Sequence, residues 1–243
     1  MKLKSIFLFV ALSFTVTASA ADRKLFDNHW LFALQDSVTM SSPNFNDNAW
    51  RRLSLPHDWS IEGDFQATNP SGATGGALPG GIAWYRKHFD VPSYDRNKHY
   101  FIDFDGVYMN ASVYLNGHLL GTRPYGFISY RYELTPYLKA KDNVMAVRVD
   151  NSEQPNCRWY SGSGIYRHVY LVTTNALHVA HWGTFVRATT DGKVCAEIKI
   201  DNQGSHSETV TVRNNVLNSA QKVVSTVLRK LTVNPNKPAV FKE

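Results

Sequence analysis

Short runs in which apolar and polar residues alternate recur along this chain, as expected of strands with one buried face. Residues 99–107 put Tyr100, Ile102 and Phe104 on one side and Asp103 and Asp105 on the other. Residues 144–150 set Met145, Val147 and Val149 opposite Arg148. Segments 108–115 and 118–121 flank Asn116-Gly117, a dipeptide that tolerates positive φ at both positions and so predicts a tight hairpin. Further strands are predicted at 29–34, 83–91, 127–134 and 166–173, and no helical period runs between residues 22 and 174. Short strands with loops this long predict a two-sheet jelly-roll sandwich over residues 22–173.

Near Thr174-Asn175 the rhythm resets. Segments 177–190, 194–202, 209–214 and 223–233 form a second set of predicted strands, poorer in aromatics and richer in Val and Thr. The stretch 175–243 is shorter than the ~100 residues of an immunoglobulin-like sandwich. Residues 234–238 read as a turn leading into one more strand at 239–242. The expected fold class is therefore all-β: a jelly-roll β-sandwich followed by an incomplete, truncated immunoglobulin-like β-sandwich.

Composition agrees with this pattern. Of 243 residues, 43% are hydrophobic and 13% aromatic, while 15 Gly and 10 Pro supply turns. Residues 1–20 read as a cleaved signal peptide: Lys2 and Lys4, a short apolar run over 6–16, then Ala18-Ser19-Ala20. That run is well short of the ~20 residues a spanning helix needs. The expected location is secreted or periplasmic. Cleavage removes two lysines from a formal charge of only +6, and no basic run suggests nucleic acid. Cys157 and Cys195 fall in different predicted domains and read as unpaired. The sequon at Asn110 lies inside a predicted strand.

Three segments carry more aromatic residues and glycine than packing requires: 55–59 (LPHDW), 71–81 (SGATGGALPGG) running into Trp84-Tyr85-Arg86, and 158–164 (RWYSGSG). Phosphate binding does not fit, because neither glycine loop ends in Gly-Lys-Ser/Thr or opens a helix. A pyranose ring, by contrast, lays its apolar face on Trp or Tyr while Arg and Asp bond its rim. Asp58, Trp84, Arg158, Trp159 and Tyr160 supply both parts, against the alternative that each Trp packs in the core. Metal and nucleophile patterns are absent: His178 and His181 lie in an extended run, and neither HExxH nor GxSxG occurs. Asp58, Glu62, Asp64, Asp103 and Asp105 yield no acid/base pair on spacing alone.

PHDW (56–59), GGIAWYRKHF (80–89), FDGVYMNASVYLNGHLLG (104–121) and RWYSGSGIYRHVYL (158–171) together resemble the N-terminal sugar-binding domain of glycoside hydrolase family 2. That family includes bacterial β-galactosidases, β-glucuronidases and β-mannosidases. The resemblance implies a secreted retaining exo-glycosidase acting on terminal β-glycosidic bonds, with the β-galactosidase branch nearest. It implies no cofactor, and a partner in the form of a catalytic (β/α)₈ barrel on which these sandwiches pack. No strand–helix alternation and no Asn-Glu pair of that barrel occurs in this sequence, so the expectation is a chain with no catalytic residue of its own. In family members the loop matching 158–164 reaches the terminal sugar and begins with aspartate, where this sequence has Arg158. The competing expectation is a free-standing lectin-like module.

Overall fold

The computed structural model describes residues 21–242, so the signal segment read at 1–20 lies outside the described residues. The described residues form strands, two short 3₁₀ turns and loops. The first seven strands are β1 (Asp22–Leu25), β2 (Trp30–Ala33), β3 (Arg51–Leu53), β4 (Gly81–Phe89), β5 (Lys98–Phe104), β6 (Ala111–Leu115) and β7 (His118–Arg123). They are followed by β8 (Tyr130–Glu133), β9 (Asn143–Asn151) and β10 (Val169–Asn175). The last five are β11 (Leu177–Ala188), β12 (Val194–Asn202), β13 (Glu208–Leu217), β14 (Val223–Val233) and β15 (Ala239–Lys242).

Two antiparallel sheets, ordered β1-β10-β5-β8 and β3-β2-β4-β9-β6-β7, close over one core. Alternation chooses the inward side chains. Tyr100, Ile102 and Phe104 of β5 meet Met145, Val147 and Val149 of β9 in a single buried cluster with Trp30, Tyr85 and Val113. Each such side chain, fully buried, contributes roughly 1.5–3 kcal/mol. Asn116-Gly117 makes the turn from β6 to β7 with both residues at positive φ, and Asn116 Nδ2 donates to the Tyr137 carbonyl. β1 and β3 have no alternation to reveal them: they are short, mostly exposed edge strands held by pairing to β10 and β2.

β4 is buried on both faces. Ala83 and Tyr85 face the main core, with Lys87 lying over Phe26 and Trp30. Trp84 and Arg86 are covered by the segment that follows β2, where Met40, Phe45 and Trp50 pack. Lys87 Nζ donates to the carbonyls of Phe26 and Asn28, and burial pulls its pKa down to about 8 against the opposing pull of Asp27. Between pH 8 and 10 the unfolded chain thus binds more protons at this lysine than the folded one. Stability is expected to rise by about 2 kcal/mol across that window, and to lose that slope in Lys87→Met. Urea denaturation at pH 8, 9 and 10 measures it; a flat wild-type profile would refute the assignment.

Beyond β10 the remaining strands form two small sheets, β11-β12-β15 and β13-β14, sharing a modest core of Ala196, Ile198, Ile200, Val233 and Phe241. This part meets the outer face of the four-stranded sheet, where the His178 ring lies 6.2 Å from Phe101. β11 is not the continuous extended run its pattern suggests: the register jumps between Val179 and Thr184. Cys157 and Cys195 are both free.

Candidate functional site

The chain from 163 to 165 is pinned from two sides at one end of the sandwich. His57 N–H donates to Ile165 O (2.8 Å) and Trp59 N–H to Ser163 O (3.0 Å), while Gly164 and Tyr108 exchange two backbone bonds of 2.9 Å. The PHDW segment, entered through a cis Leu55–Pro56 bond, is therefore a clamp on the last turn of the 158–164 loop.

Asp58 is the centre of that clamp. Its Oδ1 accepts from the backbone N–H of Ser60 (3.0 Å) and Ser163 (2.8 Å), and its Oδ2 accepts from the Tyr160 hydroxyl. Burial, reinforced by the Asp58 carboxylate, pushes the Tyr160 phenol above its ordinary pKa, so it stays a donor. Beneath it Ser60 Oγ lies 2.7 Å from Ser163 Oγ, which accepts from Asn151 Nδ2 at 2.7 Å. Asn151, only 3% exposed, uses its whole amide. Nδ2 also donates to Gly162 O, and Oδ1 accepts from Gln154 Nε2 and Asn156 Nδ2, both at 2.7 Å.

Next to this network His57 Nδ1 lies 2.7 Å from the Tyr85 hydroxyl, and its Nε2 lies 3.2 Å from Glu62 Oε1 and 2.9 Å from an Arg51 nitrogen. Burial lowers the His57 pKa, Glu62 opposing it. Burial would raise Glu62, but bonds from Arg51 and His57 hold it below the usual carboxylate range. Both carboxylates beside the loop are thus engaged: Asp58 by the loop itself, Glu62 by Arg51 and His57.

What the loop presents outward is aromatic. Trp159 is 67% and Tyr160 39% exposed, over a cleft edged by Ser71, Leu78, Gly80 and Gln154. Arg158 is exposed at the start of the loop, with no hydrogen bond or ion pair among the described residues. Of the five residues the sequence singled out, Asp58, Trp159 and Tyr160 come together, with Arg158 beside them. Trp84 does not join them. It is 1% exposed, stacks on Tyr114 at 5.7 Å, and spends its N–H on Asp36, so its ring meets protein on all sides. The sequence reading missed Asn151, and within the 158–164 segment it did not pick out Ser163, the two residues that fix the loop; for Asn151 the available signal was the polar run NSEQPN that begins at the last residue of the apolar strand β9. Among the described residues no group of three or more His, Cys, Asp or Glu is arranged to hold a metal, and no helix is long and apolar enough to cross a membrane.

The structure thus sets an anchored, outward-facing aromatic loop at one end of a two-sheet β-sandwich. Residues 81–189 match the family described as "Glycosyl hydrolase 2 galactose-binding domain-like", and the chain belongs to glycoside hydrolase family 2. It is 47% identical over 236 residues to the β-galactosidase BoGH2A of Bacteroides ovatus, a match covering 95% of this chain and 28% of that protein. It is 30% identical over 236 residues to a β-glucuronidase of Formosa agariphila, covering 86% of this chain and 24% of that protein. The structure of a family 2 member from Bacteroides cellulosilyticus superposes with a TM-score of 0.85 at 34% identity, covering 91% of this chain and 30% of the other. The chain therefore spans less than a third of the length of the curated relatives it matches.

Proposed function

We propose that this chain is the sugar-binding and scaffold portion of a secreted exo-glycosidase that cleaves terminal β-glycosidic, and specifically β-galactosidic, bonds. Residues 22–173 are its sugar-binding domain and 175–243 the opening strands of an immunoglobulin-like one. The observation that carries this reading is the exposed Trp159 beside Tyr160, on a loop whose base is locked by Asp58 and Asn151. A ring platform on a rigid base suits a pyranose face, because little order remains to be imposed on binding. The likeness to a β-galactosidase supports the galactoside choice. Bond cleavage belongs to polypeptide beyond these sandwiches, since the carboxylates beside the loop are held by neighbouring donors and not aimed at a shared cleft.

The chain alone is expected to bind methyl β-galactoside weakly and to leave p-nitrophenyl β-galactoside intact. Trp159→Ala is expected to weaken binding roughly tenfold, about 1.4 kcal/mol, with no change in melting temperature. Titration calorimetry reads the first and a chromogenic assay the second. Hydrolysis by the purified chain would overturn the division of labour, and unchanged affinity in the variant would overturn the site.

A further inference from the structure

His57 fastens the base of the 158–164 loop through its backbone, while its ring makes a contact that depends on where a proton sits. Its N–H donates to Ile165 O at 2.8 Å. Its Nδ1 meets the hydroxyl of Tyr85, which stands so close over Gly164 that a Cβ there would collide with it. The other ring nitrogen has two competing neighbours: Arg51 Nη2 lies 2.9 Å and Glu62 Oε1 3.2 Å from Nε2. A guanidinium has only protons to offer. The approach of Arg51 therefore makes Nε2 the acceptor and leaves the proton of the neutral imidazole on Nδ1, facing Tyr85. The same Arg51 nitrogen also donates to both Glu62 oxygens, at 3.0 and 2.8 Å.

A proton arriving at Nε2 reverses this arrangement. Two N–H donors cannot share a 2.9 Å contact, so Arg51 must give way and the new N–H turns to Glu62. Arg51 and Glu62 are 50% and 41% exposed, so both can rearrange in water at little cost. The ring is only 9% exposed, packed across Phe32 at 4.7 Å, and carries a charge at a penalty where it stands. The ionisable groups that face it are Arg51 of β3, Tyr85 of β4, Asp58 of its own segment and Glu62 of the turn that follows. Burial lowers the His57 pKa; Glu62 and Asp58 oppose this, and Arg51 reinforces it. The closed clamp thus takes up the proton less readily than an open one. Its contribution is complete above the ordinary value of 6.5 and is lost progressively as pH falls from there. A charged ring relieves its burial by backing toward water, and that motion pulls on the residue whose N–H holds Ile165.

We propose that His57 is a positioning residue for the 158–164 loop and a proton-operated latch: neutral, it locks the loop base; protonated, it exchanges Arg51 for Glu62 and lets residues 163–165 loosen. What the latch controls rests on the sugar-binding reading of Trp159 and Tyr160, whereas the latch itself does not, so two readouts keep them apart. Amide hydrogen exchange of the full chain at pH 7.5 and pH 5 reports the latch. Protection factors of Ser163, Gly164 and Ile165, relative to those of β9, are expected to fall roughly tenfold in the acid sample. In His57→Gln, which takes up no proton, the ratio is expected to stay constant. Arg51→Met is expected to move the midpoint of the loosening to higher pH and Glu62→Gln to lower pH. A purely structural role would not produce opposite shifts, and these two half-exposed sites keep the test decisive where His57→Gln fails to fold. Titration calorimetry with methyl β-galactoside is expected to show a matching loss of affinity in acid. A flat protection ratio in the wild type, or shifts of the same sign in the two variants, overturns the latch. Loosening without any sugar binding sinks the sugar reading and leaves the latch standing; sugar binding of constant affinity with flat exchange does the reverse.

Discussion

Replacing Gly164 with alanine is expected to cost about 3–5 kcal/mol of stability, combining backbone strain with overpacking. Gly164 sits at φ +128°, a conformation open to glycine almost alone. An added Cβ would lie 2.4 Å from the Tyr85 hydroxyl oxygen, 2.7 Å from His57 O and 3.3 Å from a Trp59 ring carbon. None of these can yield easily. Tyr85 is fully buried against Phe32, Trp59 is 3% exposed, and His57 O belongs to the PHDW segment, whose His57 and Trp59 N–H groups hold the loop. Gly72→Ala is the control: φ is +59° there, but nothing lies within 4 Å of the new methyl group, so about 1 kcal/mol is expected. Urea denaturation compares the two. Equal losses would mean that the clamp between 57–59 and 163–165 is looser than its distances imply.

How much of this was legible in the sequence depends on which side chains face what. The β6–β7 hairpin was readable because β6 is buried on one face only, and period-2 alternation records that directly; β5 and β9 keep the alternation of apolar and charged residues at Asp103 and Arg148, although Phe101, Asp103, Val144 and Ala146 on their other face are buried too. β4 shows the limit. Its IAWYRKHF run is buried on both faces, so Trp84 sits in an aromatic-rich segment like the binding candidates and yet lies under the loop after β2. No local pattern announces that a loop will fold back over a strand. The anchor of the site was hidden for a related reason: Asp58 and Ser163 are 105 positions apart, and only the closing of the sandwich brings them within 2.8 Å. Trp159 and Tyr160 were found because exposure of a Trp-Tyr pair next to glycines is a local property. The register jump between Val179 and Thr184 breaks an apparently continuous strand, and period alone averages over it.

Asp47→Ala is expected to cost a comparable 3–5 kcal/mol, because it strands a buried cation. Arg86 is fully buried on the outer face of β4, and its Nε donates to Asp47 Oδ2 at 2.6 Å. Its remaining partners are the backbone carbonyls of Met40 and Ser42, and one terminal nitrogen already has no partner. Removing the carboxylate leaves a full charge packed against Met40, Phe45 and Trp50 with only two backbone carbonyls to compensate it. The double variant Asp47→Ala/Arg86→Met removes the charge along with its partner. It is expected to recover more than half of the loss, which a merely packing role for Asp47 would not allow. The same pair sets an acid limit. Burial tends to raise the Asp47 pKa, but bonds from Arg86 and His88 outweigh it and hold the group below its ordinary 3.8. A depressed carboxylate contributes its full stability above the unfolded value and loses it as pH falls through the folded one. Wild type should therefore soften from about pH 4 downward, while the double variant, with no such proton to take up, softens less. Denaturation midpoints at pH 3, 4 and 6 decide it: parallel acid limbs in the two proteins would show that the Arg86–Asp47 pair does not carry this part of the fold.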